Sequence, residues 1–164
     1  MLAWSMSKIF LRYAREDDIP RLIADGVVPG GDDAAWQQRL ALSMSEQRNG
    51  RRLVLVAEDR SGLVGMVQLV FKFPPGYNDP EAANGFDVGM IETLRVAPRT
   101  RGPVATELLQ QAQMLARKKA ITTLTFCLSI DDTRGIAMAK QWGFKEFRIM
   151  PEPNRMLAFF RKHL

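Results

Sequence analysis

The chain turns on the stretch MIETLRVAPRTRGPVATELL, Met90 to Leu109. Met90 to Val96 is an apolar run with β-branched residues, the pattern of a buried strand. Ala97 to Gly102 is short, basic and broken by Pro98 and Gly102, the pattern of a tight loop. From Pro103 onward, Val104, Leu108, Ala112 and Leu115 recur at helical spacing, which predicts a helix with its proline in the first turn. Strand, basic glycine-containing turn and helix start together suit an anionic phosphate. The first-turn N–H groups lack intrahelical partners, and the helix dipole adds partial positive charge. Arg99 and Arg101 add two full charges beside that point. The blander reading is a plain strand-to-helix connection with solvated arginines.

Upstream, Ile9 to Ala14 alternates as a first strand. Asp17 and Asp18 before Ile19, Leu22 and Ile23 mark a helix that Gly26 stops. Asp32 and Asp33 cap a second helix with Trp36, Leu40 and Met44 on one face, ended by Asn49 and Gly50. Arg52 to Glu58 and Leu63 to Phe73 form a hairpin, in which Gly65 marks a bulge or a close backbone approach. Pro74 to Phe86 is a polar loop of the length that functional loops have.

Downstream, the helix after the turn runs to about Ala120, and Thr122 to Leu128 is a strand. Two strands bracketing one helix form a crossover unit, so they should lie parallel. Asp132 or Thr133 caps a helix that runs through Trp142 and ends at Gly143. Phe144 to Ile149 and Met156 to Arg161 are the last strands, with a proline-rich turn between. The order β α α β β β α β α β β predicts an α/β (α+β mixed) fold, a twisted mixed sheet of six to seven strands flanked by helices. No linker or repeat interrupts it, so residues 1–164 are expected to form one domain.

Two stretches carry a resemblance. Val96, Pro98, Arg101, Gly102, Val104, Ala105, Thr106 and Leu108–Leu109 can be laid on the cofactor motif of the GNAT superfamily of acyl-CoA-dependent N-acetyltransferases, a strand ending in V-x-P, then R-G-x-G-x-G/A, then a helix. Asp132 to Phe144 (DTRGIAMAKQWGF) resembles the family's second motif at Ile136, Gly143 and Phe144. The element order is that of the family too, so the resemblance covers nearly the whole chain. It implies a GNAT-like acyl-CoA N-acyltransferase fold, acetyl-CoA as co-substrate, no metal, and two early helices that help wall the acceptor site. It also implies that the backbone of Leu94, Arg95 and Val96 pairs with the pantetheine arm where the strand splays from its parallel neighbour. The diphosphate would then lie on Arg99, Arg101, Gly102, Val104, Ala105 and Thr106. Asp132 and Arg134, at the helix start of the second motif, face either the cofactor or simply solvent. The stretch Val96–Leu109 is one residue shorter than the family's, Pro103 stands where a glycine is expected, and Ala139 stands at the usual general-acid tyrosine. Tyr13 and Tyr77 lie elsewhere in the sequence.

Acetyl transfer to an amine needs a base, because an alkylamine with a pKa near 10.4 is almost wholly protonated at pH 7. It needs donors for the oxyanion, which backbone N–H groups can supply. Glu92 is the candidate base, since strand alternation puts it on one face with Leu94 and Val96, where a carboxylate is costly unless it is paired or opens on a cleft. Acidic residues at this strand position serve as base in many GNAT enzymes. The alternative is an ordinary ion pair, with Arg52 for example. Asp87 and Glu81 are weaker candidates for the base. Cys127, in an apolar strand with no histidine near it in sequence, reads as a core residue rather than a nucleophile. Trp36 and Trp142 read as core.

The reading is thus an N-acetyltransferase acting by direct attack in a ternary complex. The alternative is an inactive acyl-CoA-binding or protein-interaction module on the same fold. The acceptor is a small-molecule or peptide amine that stays open in identity, and acidic Asp79, Glu81 and Asp87 in the long loop could attract a cationic one. The chain has 164 residues, a net charge of +5 and a pI of about 9.7. Its basic residues are scattered and do not interleave with aromatics, so nucleic acid is not an expected partner. No apolar run reaches membrane-span length, and MLAWSMSK does not read as a signal peptide. A single cysteine and a single histidine fit a cytoplasmic protein without a zinc cluster. An exposed C-terminal strand could pair across a two-fold in a homodimer.

Overall fold

The computed structural model describes residues 8–100 and 103–164. Eleven elements follow in the order β1 Phe10–Tyr13, α1 Asp18–Ala24, α2 Asp33–Arg48, β2 Arg52–Asp59, β3 Gly62–Val70, β4 Val88–Val96, α3 Val104–Lys118, β5 Thr123–Ser129, α4 Thr133–Gln141, β6 Lys145–Glu152 and β7 Arg155–His163. The strands form a seven-stranded sheet in the order β1-β2-β3-β4-β5-β7-β6. The fold is the mixed α/β architecture expected from the element order. The chain divides into two compact units, Met1–Gln68 with Thr93–Ala112 and Leu69–Glu92 with Gln113–Leu164, and β3, β4 and α3 run through both.

In the first unit, β1 pairs antiparallel with β2, with Phe10 opposite Glu58 and Tyr13 opposite Leu55. The residues expected on the inner face of α2, Leu40 and Met44, are buried with Leu22 of α1 and with Val54, Val56 and Met66 of the strands. Trp36 is half-buried at the edge of this core, with the guanidiniums of Arg39 and Arg95 5.0 and 5.1 Å from its ring centre. The side chain of Asp32 accepts from Ala35 N–H and caps α2. Gly65 marks a close approach. A Cβ there would lie 2.8 Å from Leu108 Cδ1 and 3.0 Å from Val104 Cγ1. Only a bare backbone lets α3 settle at this depth.

Buried polar side chains among the described residues of this unit are paired with one another. Arg12 donates to both carboxylate oxygens of the fully buried Asp18, at 2.7 and 2.8 Å, and Arg15 N–H donates to the same carboxylate at 2.7 Å. Buried Arg52 donates to Glu46 at 2.6 Å and to Gln68 at 2.6 Å.

In the second unit β4 and β5 are parallel, from Val88 opposite Thr123 to Ile91 opposite Phe126, as a crossover connection requires. β7 pairs antiparallel with β5 on one side and with β6 on the other. The chain's last strand is therefore interior, and the expectation that it offers an exposed edge for pairing is corrected. The edge strands are β1 and β6. The reason is the tight β6–β7 hairpin, which turns at Pro153–Asn154 with Glu152 opposite Arg155 and lays β7 into the gap beside β5. β3 ends at Val70 rather than Phe73, so the long loop begins earlier than alternation indicated.

Candidate functional site

Strand β4 carries the candidate base, and its backbone departs from simple alternation. Thr93 has a φ of 50°, in the left-handed region. That conformation interrupts the extended pleat, so the placing of Glu92, Leu94 and Val96 on one face by a period of two does not carry across it. Up to that point alternation holds. Gly89 and Ile91 are buried, while Met90 and Glu92 face the other way and line a cavity of about 460 Å³.

That cavity lies wholly within the second unit. Its floor is a set of alternating strand residues brought to one face by the register. Cys127 of β5 stands opposite Phe159 of β7, and Leu157 of β7 stands opposite Met150 of β6. Glu152, two residues along from Met150, completes the floor. The roof is the long loop after β3, which contributes Phe73, Pro74, Tyr77, Asp79 and Ala82.

Three contacts hold the roof down. The buried Thr125 hydroxyl donates to Ala82 C=O at 2.7 Å. Arg148 donates to Asp79 at 3.0 and 2.6 Å and to Glu81 at 2.9 Å, with its guanidinium 4.0 Å from the Phe159 ring centre. The Asn84 side chain accepts from the N–H groups of Phe86, Asp87 and Val88 at 2.9 to 3.0 Å and donates to Asp87 at 2.7 Å. The loop's acidic residues thus serve its own attachment, which is a different use from the amine attraction weighed on sequence grounds.

Tyr77 is the residue that sequence reading missed. It sits in the loop, 53% exposed, with its ring edge-on to Phe73 at a centroid distance of 4.8 Å, and it lines the same cavity as Glu92. Burial raises its pKa, reinforced by nearby Asp79, so the hydroxyl stays protonated well above neutral pH. No local signal marks it, because only the folding of the loop over the sheet brings it to Glu92. Burial likewise pushes the Cys127 thiol up to about 11, which keeps it protonated and suits a wall residue rather than a nucleophile.

The phosphate-side residues fall as follows. Pro103 precedes α3 instead of lying inside its first turn, and its C=O accepts from Glu107 N–H at 2.9 Å. Val104 is buried, and Ala105 and Thr106 are half-buried in the first turn, where N–H groups lack intrahelical acceptors. Arg101 and Gly102 lie outside the described residues. The Arg99 guanidinium donates to the C=O groups of Asp25 and Leu63 (3.0 Å to Leu63), which ties the Pro98–Thr100 segment to the end of α1 and the start of β3. Leu94 and Val96 are half-buried, and exposed Arg95 lies over Trp36. Asp132 caps α4, accepting from Gly135 N–H at 2.8 Å; a Cβ at Gly135 would come within 2.5 Å of that carboxylate. Arg134 is exposed, and Ala139, at the family's tyrosine position, is buried. No helix among the described residues is long and apolar enough to cross a membrane, and none of their His, Cys, Asp and Glu side chains cluster in threes that could hold a metal ion.

Solved structures share this architecture. A ribosomal-protein-alanine N-acetyltransferase from Brucella melitensis aligns over 94% of this chain and 99% of its own, at 23% identity and a TM-score of 0.69. An N-acetyltransferase from Staphylococcus aureus Mu50 aligns over 96% and 99%, at 19% identity and a TM-score of 0.72. The PaiA N-acetyltransferase from Thermoplasma acidophilum, solved in complex with coenzyme A, aligns over 96% and 99%, at 17% identity and a TM-score of 0.72. At these identities the likeness is one of fold. No curated protein matches the chain. Residues 10–144 match the model of the acetyltransferase (GNAT) family, and the chain belongs to that family.

Proposed function

We propose that this protein transfers the acetyl group of acetyl-CoA to a primary amine by direct attack in a ternary complex, acting as one domain over residues 1–164. The observation that carries this reading is Glu92, a half-buried carboxylate in the middle of β4 that opens on a largely apolar cavity. Glu92 takes a proton from the ammonium form of the acceptor, directly or through water. The neutral nitrogen then attacks the thioester carbonyl. Backbone N–H groups near Leu94 and Val96 stabilise the oxyanion and pair with the pantetheine arm. The C–S bond breaks, and the thiolate takes up a proton. A thiol with a pKa of about 8.5 leaves readily enough for water to supply it, so the buried Ala139 does not block the step.

The same reading gives the first-turn amides of Val104, Ala105 and Thr106 to the diphosphate and assigns Arg101 and Gly102 to it from the sequence motif. Arg95 and Arg99 are counted with the cofactor-side residues in this reading, as are Asp132 and Arg134 at the start of α4. The amides of a 15-residue helix suit a diphosphate, and the coenzyme A held by the Thermoplasma fold relative is in keeping with that use.

The test is Glu92→Gln. The expected result is a fall in kcat of about 10²–10³ with acetyl-CoA affinity, measured by calorimetry, within twofold of wild type. An unchanged kcat would remove Glu92 from the chemistry. Absence of acetyl-CoA binding at millimolar concentration would remove the transferase reading altogether.

A further inference from the structure

Trp36 gathers positive charge that the protein itself does not neutralise. The guanidinium of Arg39, one turn further along α2, and that of Arg95 on β4 lie 5.0 and 5.1 Å from the centre of its ring. Other arginines of the same unit are matched by carboxylates, Arg12 by Asp18 at 2.7 Å and Arg52 by Glu46 at 2.6 Å. Neither Arg39 nor Arg95 meets a carboxylate among the described residues; each meets the indole instead. A cation–π contact draws on the charge of a guanidinium and occupies none of its N–H donors. Both arginines are exposed, while Trp36 is half-buried and anchored on the core that holds Leu40 and Met44. Two like charges drawn to one ring repel each other, and the attraction of each for the ring is modest at an exposed position. An oxoanion completes such an arrangement. Two guanidinium forks can take the oxygens of a carboxylate or a phosphoryl group in charge-assisted hydrogen bonds, and a ring that already holds both side chains lowers the cost of ordering them.

We propose that Arg39 and Arg95, held on Trp36, bind an oxoanion of the acceptor, so that the amine acetylated by this protein also carries a carboxylate or a phosphoryl group. This rests on the acetyltransferase reading above. The place of Arg95 in the chain puts the anion with the acceptor rather than with the cofactor. Its backbone lies between Leu94 and Val96 on β4, the stretch that reading gives to the thioester end of the pantetheine arm, whereas the diphosphate is given to the first turn of α3. An anion held by the Arg95 side chain therefore belongs to the reacting end of the complex. The net charge of +5 favours the approach of an anionic acceptor. The oxoanion is unchanged by the reaction. The bond from the amine nitrogen to the acetyl carbon forms, the C–S bond of acetyl-CoA breaks, one proton leaves the ammonium, and the thiolate is protonated to give coenzyme A. Arg39 and Arg95 are the specificity-determining residues, and Trp36 positions them.

Matched probes decide it. Glycine, β-alanine, 4-aminobutyrate and 2-aminoethylphosphonate carry the oxoanion at different spacings from the amine. Ethylamine, n-propylamine and n-butylamine are the same bodies with a methyl group in its place. Each is assayed for acetylation with acetyl-CoA, and acetyl-CoA affinity is measured separately by calorimetry. At least one oxoanion-bearing amine is expected to exceed its methyl counterpart at least tenfold in kcat/KM, because a site built to hydrogen-bond a group rejects the analogue that lacks it. Arg39→Gln and Arg95→Gln should each cut that preference at least tenfold. Both positions are exposed, so the core is left intact. Arg39→Lys should restore part of the preference, since the charge returns without the fork. No preference in any pair, or a preference that both glutamine variants keep, overturns the proposal and leaves the transferase reading intact. Acetyl-CoA affinity that falls tenfold in Arg39→Gln gives the anion to the cofactor and overturns the proposal as well. If acetyl-CoA binds and no probe is acetylated, calorimetry with 2-aminoethylphosphonate on the acetyl-CoA complex decides. Binding that is lost in both glutamine variants supports the proposal, and no binding at millimolar concentration, or binding indifferent to both changes, overturns it. Failure of acetyl-CoA to bind would remove the transferase reading and the proposal with it.

Discussion

Arg148 binds Asp79 through both terminal nitrogens while its guanidinium lies on the ring of Phe159, 4.0 Å from the centroid. One side chain of the edge strand β6 thereby clamps the loop after β3 onto the sheet and shapes the cavity in which Glu92 sits. The Asp79 side chain is only 12% exposed, so removing its partner leaves a poorly hydrated carboxylate. Arg148→Ala is expected to destabilise the fold by about 2–3 kcal/mol in urea titration. Arg148→Lys should recover only part of that, since an ammonium can neither bind bidentately nor stack as a plane. Proteolysis confined to the 74–86 loop should accelerate in both variants.

Acid sensitivity should arise around Asp18. Burial works to raise its pKa, but the hydrogen bonds from Arg12 and from Arg15 N–H outweigh that and leave it lowered. Glu58 is lowered too, mainly by its bond from Arg21. A carboxylate with a depressed folded-state pKa stabilises the fold at pH values above its unfolded value, about 4. That stability is lost as pH falls through the folded value. Thermal stability is therefore expected to be flat near neutrality with respect to these groups and to fall below about pH 4. Asp18→Asn should cost about 3 kcal/mol at pH 7 and flatten the acid limb of the same profile. An acid limb of unchanged steepness in Asp18→Asn would show that other carboxylates set it.

The approach of α3 to β3 predicts a coupled pair. A Cβ at Gly65 would stand 2.8 Å from Leu108 Cδ1. Gly65→Ala should destabilise by about 1 kcal/mol and Gly65→Val by up to about 3 kcal/mol, the usual range for overpacking. Leu108→Ala alone should cost about 2–5 kcal/mol as a cavity. Denaturant unfolding of the Gly65→Ala/Leu108→Ala double variant should give less than the sum, because the new methyl enters the space Leu108 leaves.

Local sequence determined the elements of this protein. A run of apolar and β-branched residues marks β4 from Met90 to Val96, aspartates before apolar runs mark the starts of α2 and α4, and Gly143 marks an end, because each depends on residues within a turn or two of one another. The strand–turn–helix from Met90 to Leu109 and the motif around Gly143–Phe144 likewise identified the family, since both are contiguous. Tertiary structure alone decided the rest. The insertion of β7 between β5 and β6 follows from a hairpin docking on a distant strand, and the positive φ of Thr93 is invisible to a pattern of apolar residues. The meeting of Tyr77, Glu92 and Cys127 at one cavity depends on a loop held by pairs 43 and 69 residues apart in the chain, Thr125 with Ala82 and Arg148 with Asp79. Such contacts form only once the sheet exists to receive them, and so the cavity is a property of the folded chain that no local pattern encodes.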